Sequence, residues 1–187
     1  MRRTIRDRTS AIGVLACLAC IPSSVTAQVE VTAGVLVLND PVVEGTLAGP
    51  TLALSASLAV AGVPVLFEAG VGRTDFTSLG QDYHNDHYFL AVSGQWEAIR
   101  GRTGLAFRLG AGAYGEYQTV ETDPPTGGGD NWSEIVVPGV ILTRAISSET
   151  RLVLILSDAI LGPVDAILDP GEYAVEHRLR IMLGLQL

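Results

Sequence analysis

From position 173 to position 187 the chain alternates without a break. Tyr173, Val175, His177, Leu179, Ile181, Leu183, Leu185 and Leu187 form one set; Ala174, Glu176, Arg178, Arg180, Met182, Gly184 and Gln186 form the other. A period of two, with one apolar face and one face holding three charges, is the pattern of a β-strand between two media of different polarity. A closed sheet in a membrane pairs its last strand with its first, and a strand running to the final residue suits that closure.

Residues 1–27 read as a secretory signal. Arg2, Arg3, Arg6 and Arg8 make a basic start, residues 11–21 an apolar core, and Val25-Thr26-Ala27 a small-residue cleavage site. The expected mature domain is therefore 28–187. Cys17 and Cys20 both fall in the leader, so that domain has no disulfide framework. No later segment offers the run of about 18 apolar residues that a membrane helix needs. Beyond the leader there is no lysine, and eight arginines face nineteen acids, a formal charge of −11. Nucleic acid is excluded as a partner, because phosphate binding needs clustered basic charge.

The remaining chain divides into eight alternating segments: 29–38, 51–60, 65–73, 88–97, 104–117, 134–143, 151–157 and 173–187. Their connections run long, short, long, short, long, short, long. That is the rhythm of an eight-stranded antiparallel up-and-down transmembrane β-barrel, an all-β fold with short periplasmic turns and long outer loops. Aromatic residues supply an independent check, since they collect where hydrocarbon ends. Tyr88, Tyr117 and Tyr173 are expected in an outer girdle, and Phe67, Trp96 and Phe107 in a periplasmic one. Ten residue steps of about 3.3 Å, tilted by about 45°, rise about 23 Å, close to the apolar band of about 25 Å in such barrels.

The opposite faces read as a filled interior. Small residues such as Ala53, Ser55, Gly70, Gly110 and Gly112 leave room for long charged ones. Glu68, Arg108, Glu116, Glu134, Arg144, Glu176, Arg178 and Arg180 are expected to pair in the lumen, because an enclosed charge without a partner is costly. Two segments fit less well. Pro138 removes a ladder donor inside the sixth, which predicts a bulge or a strand end nearby. The seventh is apolar on both faces, so periodicity leaves its orientation open.

With the signal, this rhythm of connections and the ending Glu176-His177-Arg178-Leu179-Arg180-Ile181-Met182-Leu183-Gly184-Leu185-Gln186-Leu187, the chain resembles the small outer-membrane β-barrel domain of OmpA/OmpX-type proteins. The resemblance covers residues 28–187 and lies in pattern, with no site motif. It implies an eight-stranded barrel inserted into the bacterial outer membrane, among its lipids, by the barrel assembly machinery. This chain ends in Leu187 where that group usually carries an aromatic residue.

Candidate chemistry is sparse. Asp82, His84, Asp86 and His87 are the one cluster with metal-ligand composition, and they are expected in an outer loop, where a solvated loop is the simpler reading. Acids crowd the expected outer loops, among them Asp40, Glu44, Asp75, Glu121, Asp123, Asp130, Asp165, Asp169 and Glu172. Such a rim suits divalent cations or basic surface ligands. No resident cofactor and no enzyme activity are expected. The leading reading is a structural or surface-interaction barrel with a plugged lumen. Its rivals are a narrow pore, a lipid-modifying barrel using His177 with Ser157 or Asp158, and a soluble periplasmic barrel of lipocalin type with apolar faces turned inward.

Overall fold

The computed structural model describes residues 28–40, 45–60, 63–78, 80–122, 126–163 and 175–187. The expected signal, Tyr173 and several of the loop acids lie outside these residues. Eight strands follow one another: β1 (Gln28–Asp40), β2 (Gly45–Val60), β3 (Val63–Ser78), β4 (Gln81–Ile99), β5 (Thr103–Val120), β6 (Thr126–Ala145), β7 (Arg151–Leu161) and β8 (Glu176–Gln186). Each pairs antiparallel with its sequence neighbours, and β1 pairs with β8 from Glu30↔Gln186 to Leu38↔Arg178. The sheet closes on itself and leaves no edge. At the seam the amide of Leu187 donates to the Val29 carbonyl at 2.8 Å.

One rim, called inner here, holds the connections β2–β3, β4–β5 and β6–β7 together with Gln28 and Leu187. These turns are short. Gly101 sits at φ 150° in the β4–β5 turn, and the Ser147 hydroxyl accepts from the amides of Glu149 and Thr150 in the next. The opposite, outer rim differs from expectation. Three of the long outer loops are largely strand: β3 continues to Ser78 and β4 resumes at Gln81, around Gly80 at φ 77°. Above the apolar belt the outward face turns polar and the inward face mixes Thr74, Asn85 and His87 with Phe76, so hydropathy contrast vanishes while the hydrogen-bonded ladder goes on.

Register fixes which residues face inward. The inward sets include Glu30, Thr32 and Leu36 on β1, Ala53 and Ser55 on β2, Leu66 and Glu68 on β3, and Phe89, Ala91 and Ser93 on β4. Arg108 and Tyr114 on β5, Ile135, Val137 and Ile141 on β6, Val153, Ile155 and Ser157 on β7, and Arg178, Arg180 and Met182 on β8 complete them; all are buried. Outward positions are apolar and open: Leu52, Leu54, Val71, Leu90, Val92, Leu109, Leu154, Ile181 and Leu183 are 41 to 54% exposed. The larger apolar cluster inside the barrel includes Phe89, Ile135, Ile141, Val153 and Met182; a second, smaller one of Leu36, Leu38 and Leu47, with Phe76 against it, lies near the outer rim. Tyr83 stacks on Phe76 with ring centroids 4.9 Å apart.

The two ill-fitting segments now have explanations. β7 turns Val153 and Ile155 inward and Leu152, Leu154 and Leu156 outward. Beside Pro138 the β6–β7 ladder lacks the pairs of residues 137 and 138, while the register on either side is unchanged. The missing proline donor thus costs ladder bonds without a bulge.

Candidate functional site

The barrel interior contains two charged layers. In the first, β3 supplies Glu68, whose Oε2 accepts from Arg108 Nη1 and whose Oε1 accepts from Arg180 Nη1, each at 2.6 Å. Arg108 Nη2 also reaches Glu30 Oε1 at 3.4 Å, and the Ser55 hydroxyl donates to that oxygen at 3.1 Å. Two carboxylates and two guanidiniums from four strands therefore cancel in a region where all four side chains are at most 5% exposed. Arg180 lies over the Phe89 ring, 4.1 Å from its centroid. That ring in turn covers Gly70, where a Cβ would collide with it. Glycine here makes room for the stack.

Nearer the outer rim, Arg178 donates through Nη2 to Glu116 at 3.0 Å and to Glu176 at 2.7 Å. His87, 1% exposed, bonds Thr74 Oγ1 through Nε2 and the Tyr114 hydroxyl through Nδ1, both at 2.8 Å. Its Nδ1 also lies 3.3 Å from Glu116. This layer ties β3, β4, β5 and β8 together.

Of the eight charges expected inside, six lie on the inward face: Glu68, Arg108, Glu116, Glu176, Arg178 and Arg180. Glu134 and Arg144 do not. Pairing of Gly112 with Ile135 and of Gly104 with Thr143 turns the odd positions of β6 inward, so Glu134 and Arg144 share the outward face of Val136, Val140 and Leu142. Arg144 is exposed close to the inner rim, and Glu134 sits one residue beyond the Ile135↔Leu161 pair toward the outer rim. Both are near the ends of the apolar belt, where a long side chain such as Arg144 reaches water, although one carboxylate oxygen of Glu134 is buried with no hydrogen-bond partner among the described residues. Glu30, absent from the expected set, completes the first layer; its place between outward Val29 and Val31 is a legible signal.

The expected metal cluster does not assemble. Asp82, His84 and Asp86 lie on the outward face of β4 and His87 on the inward one, so the barrel wall separates the two imidazoles. They occupy a strand and not a loop. Among the described residues no group of three or more His, Cys, Asp or Glu side chains could hold a metal ion. His84 instead meets Asp75 at 2.7 Å, and Arg73 Nε donates to the same Asp75 oxygen at 2.9 Å. These two contacts, Arg73 first, hold the Asp75 carboxyl below the usual carboxylate range.

Of the residues considered for lipid chemistry, the wall separates the serine from the imidazole but leaves the acid beside it. Ser157 faces inward and is buried, whereas His177 points outward and pairs with Asp158 at 2.6 Å. Nucleophile and base are on opposite sides of the sheet. Phe67, Tyr88, Trp96 and Phe107 are all outward and 42 to 52% exposed, and Tyr117 shares that parity. Trp132, outward and 56% exposed, lies over Gly115 of β5 near the outer rim; it is a further outward aromatic that alternation alone does not single out.

No protein-family model matches the chain, and no curated protein matches its sequence. Solved structures do. Neisserial surface protein A superposes with a TM-score of 0.56 at 14% identity, covering 86% of this chain and 96% of that one. The chain has the fold of the small eight-stranded outer-membrane β-barrels. Ail, the attachment invasion locus protein of Yersinia pestis, solved with the heparin analogue sucrose octasulfate, gives 0.54 at 10% identity over 86% of this chain and 99% of that one. A major outer membrane protein from Thermus thermophilus gives 0.50 at 16% over 86% and 98%. This outer-membrane barrel fold is thus similar across very different sequences, as expected where polarity pattern and closure, not particular side chains, specify it.

Proposed function

We propose that the protein resides in a bacterial outer membrane as a barrel with a closed interior, and serves a structural or surface-interaction role through its outer hairpins. The observation that carries this reading is inverted polarity: Leu90, Leu154 and Ile181 are turned out, while Glu68, Arg108 and Arg180 are turned in. In water each such exposed side chain would forgo about 1–2 kcal/mol of burial. In hydrocarbon the same belt is the favourable surface. A lipocalin-type barrel needs the opposite arrangement.

The interior supports a plug over a pore. The Glu30, Glu68, Arg108 and Arg180 layer crosses the lumen, and Leu36, Leu38, Leu47 and Phe76 fill it above. Separation of Ser157 from His177, which leaves that imidazole with the Asp158 carboxylate alone of the two expected partners, favours a non-enzymatic role. At the outer rim Asp75, Asp82, Asp86 and Glu121 make the hairpin surfaces acidic, which suits divalent cations or basic partners. Export by the residue 1–27 signal and insertion by the barrel assembly machinery complete the reading.

Cell fractionation with a heat-modifiability gel tests it. Outer-membrane recovery of a species whose mobility changes on boiling is the expected result. Recovery in the soluble periplasm would sink the proposal, and steady conductance in planar bilayers would replace the plug by a pore.

A further inference from the structure

The eight arginines beyond residue 27 are unevenly placed along the barrel axis. Arg108, Arg178 and Arg180 lie in the lumen, and Arg73 stands at the outer rim among acids. The other four, Arg100, Arg102, Arg144 and Arg151, are at the inner rim, where the exposed acids among the described residues are Glu97 and Glu149. The inner rim is basic where the outer one is acidic.

Register brings two of these arginines together on the outward surface. The outward cross-strand pairs of β5 and β6 run Leu109↔Pro138, Phe107↔Val140 and Leu105↔Leu142, and the next is Thr103↔Arg144. Arg144 is thus the charge that ends the apolar belt on these strands. One residue further, the Ala145 amide donates to the Arg102 carbonyl at 2.7 Å, which sets Arg102 beside it. Their neighbours are already engaged: Arg100 spends Nε on Glu97, and Arg151 donates to the Thr143 hydroxyl and the Gly101 carbonyl. Arg102 and Arg144 are exposed, and among the described residues their guanidiniums have no hydrogen-bond or ion-pair partner.

We propose that Arg102 and Arg144 form a docking site for an anionic phospholipid of the leaflet at the inner rim, with the headgroup chemistry of phosphatidylglycerol. Its phosphate is shared by the two guanidiniums, and an acyl chain lies along Leu105, Phe107 and Leu142. The inference rests on the membrane reading above. A guanidinium forks onto phosphate oxygens, and basic side chains at a membrane surface draw anionic lipid. An ethanolamine or choline headgroup brings a cation of its own to this basic surface, so both bind less well.

The chain's two tryptophans serve as reporters. Trp96 is the cross-strand partner of Phe107 on the same outward face, whereas Trp132 lies near the outer rim. Trp132→Phe therefore leaves a reporter beside the proposed site, and Trp96→Phe leaves one far from it. Each variant is folded into vesicles of equal parts phosphatidylglycerol and phosphatidylcholine, with brominated acyl chains on one lipid at a time and insertion checked by the gel shift on boiling; a second series replaces phosphatidylcholine by phosphatidylethanolamine. In both series Trp96 should be quenched about three-fold more by brominated phosphatidylglycerol than by its brominated competitor, as for exposed charge contacts, and Trp132 equally by the two. The preference at Trp96 should vanish in the double variant Arg102→Gln, Arg144→Gln and fall at high salt. Equal quenching of Trp96 by the two lipids, the same preference at Trp132, or a preference unchanged in the double arginine variant would overturn the inference while the membrane reading stood. Failure of the wild-type chain to insert at all would overturn both.

Discussion

Glu68 is the residue on which the first charged layer depends, because its two oxygens serve two arginines on different strands. Glu68→Gln leaves Arg180 with no carboxylate partner, while Arg108 keeps only the longer contact to Glu30. Breaking a buried pair from one side costs about 3–5 kcal/mol. Urea unfolding of the vesicle-inserted variant should show a loss of that order. The double variant Glu68→Gln, Arg180→Met should recover part of it, since Arg180 is then no longer a stranded buried charge; a fully additive loss would show that the two side chains are not coupled. At the outer rim Asp75 responds to pH. Its carboxyl is held low by Arg73 and then His84, so the stabilisation from these contacts is complete above the ordinary value of about 3.9 and is lost as pH falls through the lower folded value. A carboxyl-carbon NMR titration should place the midpoint below that of a model peptide and should move it upward in Arg73→Gln.

At the scale of the strand, what is legible in the sequence depends on contrast across the sheet. β8 and β5 pair apolar with charged or small residues at nearly every step, and their faces are as the alternation predicts. β7 lacks that contrast, because Leu152, Leu154 and Leu156 face out while Val153 and Ile155 face in. Only its pairing with β6 and β8 decides which set turns outward. In β6 the outward placement of Glu134 and Arg144 has a related cause: charge alone does not mark an inward position, since outward positions near either end of the belt also accept it. The outer parts of β3, β4 and β6 leave no signal in the alternation for want of an apolar face. Leu154→Arg, near mid-belt on the outward face, should cost about 2–4 kcal/mol in vesicle-based unfolding. Arg144→Leu, close to the inner rim, should change stability by less than about 1 kcal/mol. Equal effects at the two sites would contradict the assigned belt. Gly70→Ala is an interior counterpart: its Cβ would displace the Phe89 ring beneath Arg180, with an expected loss of about 1–3 kcal/mol.

For the molecule as a whole, closure and polarity are coupled. Eight strands give a lumen that side chains can fill, and the inward side chains here combine charged layers with two apolar clusters, the larger including Phe89, Ile141, Val153 and Met182 and the smaller lying toward the outer rim. The wall divides His84 from His87, close neighbours in the sequence, and Ser157 from His177, while it leaves Asp158 and His177 paired on the outward face. What remains, on the reading proposed above, is an interface with lipid outside and an acidic rim above. The direct measurement of that claim uses single cysteines, because Cys17 and Cys20 both precede β1. A fluorophore at position 90, 154 or 181, replacing Leu90, Leu154 or Ile181, should be quenched by brominated acyl chains once the barrel is in vesicles. A fluorophore at position 32, 93 or 157, replacing Thr32, Ser93 or Ser157, should not be quenched. Quenching of the second set and not the first would contradict the account.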